Sequence, residues 1–167
     1  MAIYFAYGSN LLSQRLLERT PDAKPIGAAK LAGYALRFHK IGDDGSGKCD
    51  AYFMGDGHEL FGVMYEMSDF DLEKLDGIEG EGYQRIRVTV LAEEPVDVFT
   101  YVVKEEFIDP DIQPYAWYKN FVLAGAREHD LPDDYMSAIL AAPFKIDPDE
   151  DRRLLNHGIL TRSGLKF

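Results

Sequence analysis

Two short segments about seventy residues apart carry the residue types that could do chemistry in this chain. The first, Tyr4-Phe5-Ala6-Tyr7-Gly8-Ser9-Asn10-Leu11, is an apolar strand that runs into a polar loop. Gly8 lets the backbone approach a ligand closely, and Ser9 adds a hydroxyl. Successive N–H groups at a strand-to-helix turn form a nest that binds carboxylates or developing oxyanions. The second segment, Leu75-Asp76-Gly77-Ile78-Glu79-Gly80, brings carboxylates to a helix end. Asp76, Glu79 and Glu81 lie close together there. Glu79, between Gly77 and Gly80 and just ahead of the strand at Tyr83, is expected at a strand mouth against aromatic rings. Lost solvation would raise its pKa toward neutrality, which suits a general base that takes a proton from an amine. Asp76 is expected to organise backbone.

Other chemistries find less support. Ser9 lacks the Gly-x-Ser-x-Gly elbow of a serine nucleophile. His39, His58, His129 and His157 show no zinc-ligand spacing and read as surface or core residues. Cys49 is the single cysteine. It can form no intrachain disulfide, fits a reducing compartment, and reads as a small filler near a strand.

The bulk composition narrows the partners. The 167 residues suffice for one domain, expected to span 1–167, and 46 % hydrophobic residues with 13 % aromatics mark a globular chain. A formal charge of −11 makes nucleic acid and anionic membranes poor partners. It also requires local donors to hold any anionic substrate against the global field. The start of the chain shows no basic region followed by a long apolar run, and no segment reaches the length of a membrane span, so a cytoplasmic location is expected. The acidic surface disfavours casual self-association, although Trp117 and Phe167 could line an interface. Monomer and homodimer both stay open, with core packing expected for Trp117.

The elements that must position these residues read as strands first and helices later. Ala2 to Tyr7 is apolar on both faces, as a strand buried on both sides should be. Ser9 or Asn10 is expected to cap a helix through Leu11, Leu12, Leu16 and Leu17 that stops before Pro21. Ala28 to Phe38 reads as one strand, Gly42 to Gly47 as a loop, and Asp50–Met54 with Glu59–Met67 as a hairpin across Gly55-Asp56-Gly57. Ser68 caps a short helix, with Asp71 three residues on, that Gly77 ends. Tyr83–Leu91 alternates and pairs back with Val96–Val103. Pro114 and Pro132 open helices. Asp147 caps a last helix with Pro148 at its first position and Glu150 three after the cap, and Gly158 closes it. The absence of strict alternation argues for an α+β fold of about six strands over a doubly wound sheet.

The loop Tyr4–Leu11, the Leu75-Asp76-x-x-Glu79-Gly80 run and Tyr83 downstream resemble the γ-glutamylcyclotransferase family. Tyr118-Lys119 with Gly125-Ala126-Arg127-Glu128 and Leu131-Pro132, and Phe61-Gly62-Val63, agree with it, so the resemblance covers about residues 3 to 135. It implies a small mixed β-barrel with packed helices and a transferase- or lyase-type enzyme of glutathione metabolism. The implied reaction is intramolecular aminolysis of a γ-glutamyl amino acid or amine, giving 5-oxoproline and a free amine, with no metal or cofactor. It implies Glu79 as the catalytic acid/base. Tyr4, Phe5, Ala6, Tyr7, Gly8 and Ser9 form the substrate loop, with Asn10 following; Tyr118 and Tyr83 are further substrate positions. Alternatives are a sister enzyme acting on glutathione or another γ-glutamylated metabolite, and a non-catalytic binding module of the same fold. The C-terminal helix and the Gly42–Gly47 loop match nothing in the family pattern.

Overall fold

Alternating and doubly apolar segments become strands, and their pairing closes a ring. The computed structural model describes residues 1–165; Phe167, one of the aromatics considered for an interface, lies outside them. The strands are β1 (Ala2–Ala6), β2 (Lys24–Ala32), β3 (Tyr34–Ile41), β4 (Gly47–Phe53), β5 (Glu59–Met67), β6 (Tyr83–Leu91) and β7 (Pro95–Val103). The helices are α1 (Ser13–Arg19), α2 (Asp69–Glu79), α3 (Ala116–Glu128), α4 (Asp133–Ala141) and α5 (Glu150–Arg162). The closed barrel runs β1-β5-β2-β6-β7. Its neighbours are antiparallel except β1 and β7, which pair in parallel at Tyr4 and Phe99. The α+β class and the mixed barrel expected from the sequence are therefore present. Seven strands form among the described residues, not six; five close the barrel, and β3 and β4 stand outside it as a separate hairpin.

The extra strand comes from Gly33. Its φ of +86° lies in the left-handed region open mainly to glycine, so the Ala28–Phe38 run breaks into β2 and β3 instead of continuing as one strand. The same turn redirects the expected hairpin. β4 pairs with β3, in register from Tyr34 opposite Phe53 to Ile41 opposite Gly47. β5 instead lies between β1 and β2, apolar on both faces as a central strand must be.

The helix ends also depart from expectation. Ser68 caps α2 through Asp71 N–H as expected, but Gly77 stays inside the helix. The stop is Gly80, at φ +71°. Neither Ser9 nor Asn10 caps α1: Ser9–Leu11 forms a 3₁₀ turn, and α1 begins only at Ser13 because both polar side chains are engaged elsewhere. The cap of α5 is Asp149, which accepts Arg152 N–H at 2.9 Å. Asp147 points inward, and Gly158 lies within the helix, which runs to Arg162.

Phe5, Tyr65, Phe121, Leu11, Leu12 and Leu16 are fully buried and knit the barrel to α1 and α3 in one core. Each such side chain contributes roughly 1.5–3 kcal/mol by leaving water. Trp117 belongs to this core, as expected. α3 lies against the Ser9–Leu11 turn at Gly125. A Cβ there would fall 2.4 Å from Leu11 Cβ and 2.5 Å from the Leu12 nitrogen, so only glycine permits that approach.

Candidate active site

The end of β1, the last turn of α2 and the face of α1 border a cleft of about 580 Å³. Tyr4, Tyr7, Gly8, Ser9, Asn10, Glu79, Tyr83 and Tyr118 all line it. Phe5 and Ala6 do not. They face the core without exposure, and Phe5 and the Ala6 carbonyl pack against Gly62. Their part in the loop is to hold β1 in place.

Glu79 is the last residue of α2 rather than a residue beyond the helix. The helix therefore fixes its backbone, and its partly buried side chain reaches the loop across the cleft. Asn10 Nδ2 donates to Glu79 Oε1 at 3.3 Å and to the Tyr4 hydroxyl at 3.2 Å, while Asn10 Oδ1 accepts from Arg19 at 3.2 Å. This network fixes which way the Asn10 amide points. Burial pushes the Glu79 carboxyl above the ordinary carboxylate range; the positive charges of Arg19, Arg15 and Lys40, with the Asn10 hydrogen bond, limit the rise. The result is a carboxylate with one weak donor and a raised proton affinity.

The loop supplies donors. Among the described residues, the N–H groups of Gly8, Ser9 and Asn10 make no protein hydrogen bond, whereas those of Leu11 and Leu12 turn back to Gly8 and Ser9 carbonyls. Gly8 is required by crowding: a Cβ would sit 2.9 Å from Cys49 Cβ. The Ser9 hydroxyl accepts from Arg15 Nε at 3.0 Å. No histidine lines the cleft to act as a base for it.

The aromatic walls are held by hydrogen bonds. Tyr7 donates to Tyr101 O at 2.5 Å, Tyr83 to Cys49 O at 2.6 Å, and Tyr118 OH accepts Cys49 N–H at 3.0 Å. Burial lifts the Tyr4, Tyr7, Tyr83 and Tyr118 phenols well above their usual range, so they remain neutral. Burial likewise pushes the Cys49 thiol up to about 12, which leaves it protonated and poorly nucleophilic. Asp76, expected to organise backbone, instead binds Arg85 at 2.7 Å and the Tyr101 hydroxyl at 2.6 Å. Among the described residues no three His, Cys, Asp or Glu side chains converge as a metal site. No helix there is long and apolar enough to cross a membrane.

Four cations were not singled out in the sequence: Arg15, Arg19, Lys40 and Lys48 line the cleft of a chain with net charge −11. Arg15 and Arg19 had a signal, since a spacing of four on a helix just after the loop puts both on one face. Burial and its neighbour Arg19 bring Arg15 down to about 9, which still leaves it largely protonated at neutral pH. Lys40 and Lys48 flank the Gly42–Gly47 loop, and the β3–β4 pairing brings them to the cleft.

Comparison with known proteins agrees with this architecture. The sequence profile of the AIG2-like family matches residues 59–139. The chain is 31% identical over 147 residues to a γ-glutamylcyclotransferase of Bos taurus, covering 82% of this chain and 76% of the bovine one. It is 31% identical over 157 residues to the γ-glutamylcyclotransferase of Homo sapiens, covering 89% and 80%. A solved structure described as a γ-glutamyl cyclotransferase superposes with a TM-score of 0.81 at 27% identity, over 94% of this chain and 98% of that one. Identity at this level over most of both sequences, on the same barrel, makes this chain a member of the γ-glutamylcyclotransferase family.

Proposed function

We propose that the protein cyclises a γ-glutamyl amino acid or amine to 5-oxoproline and releases the free amine, with Glu79 moving the protons. The observation that carries this reading is the partly buried Glu79 carboxylate beside Asn10, facing a loop with three unengaged N–H groups. The substrate α-nitrogen is an ammonium near neutral pH and cannot attack. Glu79 accepts one of its protons, and the freed lone pair forms a bond to the γ-carbonyl carbon. The carbonyl π electrons move to oxygen, giving a tetrahedral oxyanion that the loop amides stabilise. When the oxyanion collapses, the bond to the departing nitrogen breaks and Glu79 returns its proton to that nitrogen. A second proton, shed by the ring nitrogen, also ends on the departing amine. Atoms and charge balance without water or an external nucleophile, which suits a cleft with no serine–histidine pair.

Attacker and target belong to one molecule, so the main task is to fold the substrate into a near-attack shape; such orientation is worth at most roughly 7–11 kcal/mol. Neutral phenols from Tyr4, Tyr83 and Tyr118 wall the bend without competing as bases; the Tyr4 and Tyr118 hydroxyls accept hydrogen bonds and keep a proton to donate, whereas that of Tyr83 is committed to Cys49 O. The test is 5-oxoproline release from γ-glutamyl-alanine, a γ-glutamylalkylamide and glutathione. Release from at least one supports the reading; no release from any, with folded protein, overturns it.

A further inference from the structure

The β3–β4 hairpin carries an arrangement that the proton transfer does not use. Lys40 and Lys48 are direct cross-strand partners, and both line the cleft. Like charges directly opposite one another destabilise an antiparallel pair. Lys48 is compensated: its ammonium binds Asp44 at 2.8 Å and lies 4.6 Å and 4.8 Å from the ring centroids of Tyr118 and Trp117. Lys40 is not. Among the described residues its ammonium makes neither an ion pair nor a hydrogen bond. It rests only over the rings of Tyr83 and Phe107, at 5.2 Å and 5.9 Å. The placement is built in. A register shift between Arg37 and Lys40 re-aims the strand. Gly82 leaves room for the lysine stem, since a Cβ there would meet Lys40 Cε at 2.5 Å.

The cations near Glu79 thus come from separate elements. Arg15 and Arg19 on α1 stand behind the Ser9 and Asn10 side chains, next to the loop amides. Lys40 on β3 stands apart from them, over Tyr83. In the proposed reaction Glu79 must reach both the α-nitrogen and the departing nitrogen. A substrate with one carboxylate on each side of the scissile amide would meet a cationic group at each end. With the loop amides given to the oxyanion, the Arg15 and Arg19 side of the cleft accounts for the α-carboxylate of the glutamyl unit, and Lys40 is left for the other.

We propose that Lys40 is a specificity-determining residue that binds the carboxylate of the departing amine where that amine carries one. The inference rests on the cyclotransferase reading and assigns the leaving-group end of that site. The carboxylate supplies the counter-ion that Lys40 lacks, and a charge-assisted hydrogen bond to its ammonium fixes the leaving group.

The experiment compares γ-glutamyl-alanine with γ-glutamyl-alaninamide, which differ only in that carboxylate. The wild-type protein is expected to favour the acid by roughly tenfold in kcat/KM, and the preference should shrink as salt is added. Because the Lys40 charge also acts on Glu79, the variants are compared on the ratio of the two substrates at one pH near 8: Lys40→Gln should abolish the preference by lowering kcat/KM for the acid roughly tenfold more than for the amide, and Lys40→Arg should retain it. If Lys40→Gln lowers both substrates equally, or leaves the preference intact, the inference is overturned. Should Lys40→Gln fail to fold, Lys40→Met replaces it, and equal treatment of both substrates by wild type alone overturns the idea. Absence of 5-oxoproline from every compound with wild-type protein is a different result, because it rejects the reaction and not the role of Lys40.

Discussion

Glu79 and Asp147 are both carboxylates set against aromatic side chains, yet their surroundings drive them in opposite directions. Asp147 is held from all sides. It accepts Trp117 Nε1–H at 2.8 Å, Arg152 at 2.6 Å and 2.7 Å, and Asp149 N–H at 2.9 Å. The Arg152 guanidinium and these hydrogen bonds hold its carboxyl well below the usual range. Glu79 receives one hydrogen bond of 3.3 Å, and burial holds its carboxyl above that range. The contrast teaches that the number of donors decides the role of a buried acid. A fully satisfied carboxylate ties elements together and gives up its proton chemistry, whereas an under-satisfied one keeps it. Asp147 joins α3 to the start of α5, whereas among the described residues the Glu79 carboxylate is hydrogen-bonded only by Asn10.

The sharpest way to break this comparison is Glu79→Gln, which keeps the Asn10 contact but cannot exchange a proton. Turnover of γ-glutamyl-alanine should fall by roughly 10³-fold or more; substantial residual activity would remove Glu79 from its role. Stability should move the other way. A carboxyl whose pKa is raised on folding opposes folding once the pH passes its unfolded value, and it does so fully above its folded value. At pH 7.5 the variant should therefore melt no lower than wild type in a thermal scan.

Asp147→Ala should show the converse, a Tm lower by roughly 5 °C or more with kcat per folded molecule retained. A carboxyl depressed on folding contributes stability above its unfolded pKa and loses it only as the pH falls through the folded value. The Tm deficit should then be constant between pH 6 and 8 and shrink in strong acid. A deficit that varied across neutral pH would contradict the assignment.

The smallest effect belongs to Asn10→Ala. It removes the one donor to Glu79 and raises the carboxyl further. In the proposed reaction Glu79 must be ionised to accept the ammonium proton, so the acid limb of the pH–kcat profile should move to higher pH. The loss should be several-fold near pH 6 and slight near pH 8. An unmoved limb would detach that limb from Glu79.

Several parts of this arrangement were legible in the residues. The strand–Gly–Ser–Asn turn, the Ser68 cap and the alternation of Tyr83–Leu91 are local patterns, and local patterns survive folding. The opposed lysines were not legible. Lys40 and Lys48 lie eight residues apart around a glycine loop, and only a hairpin whose register includes a bulge brings them opposite each other. The end of α2 was misjudged at Gly77 for a related reason. Two glycines compete as stops three residues apart, and the left-handed backbone forms at the second, Gly80. Asp147 was misjudged as a cap because its partners, Trp117 and Arg152, belong to two different helices.

Gly125 has a consequence for the order in which the molecule becomes competent. The loop between β1 and α1 leans on α3 through that glycine, and Tyr118 of the same helix holds Cys49. These contacts join residues more than one hundred positions, and nearly seventy positions, apart in the chain. Closing such distant contacts is slow compared with forming local strands. The cleft should therefore assemble late in refolding, when α3 docks. Trp117, the single tryptophan and a residue of α3, reports that event. Recovery of activity should track its fluorescence and lag behind the return of the far-ultraviolet circular dichroism.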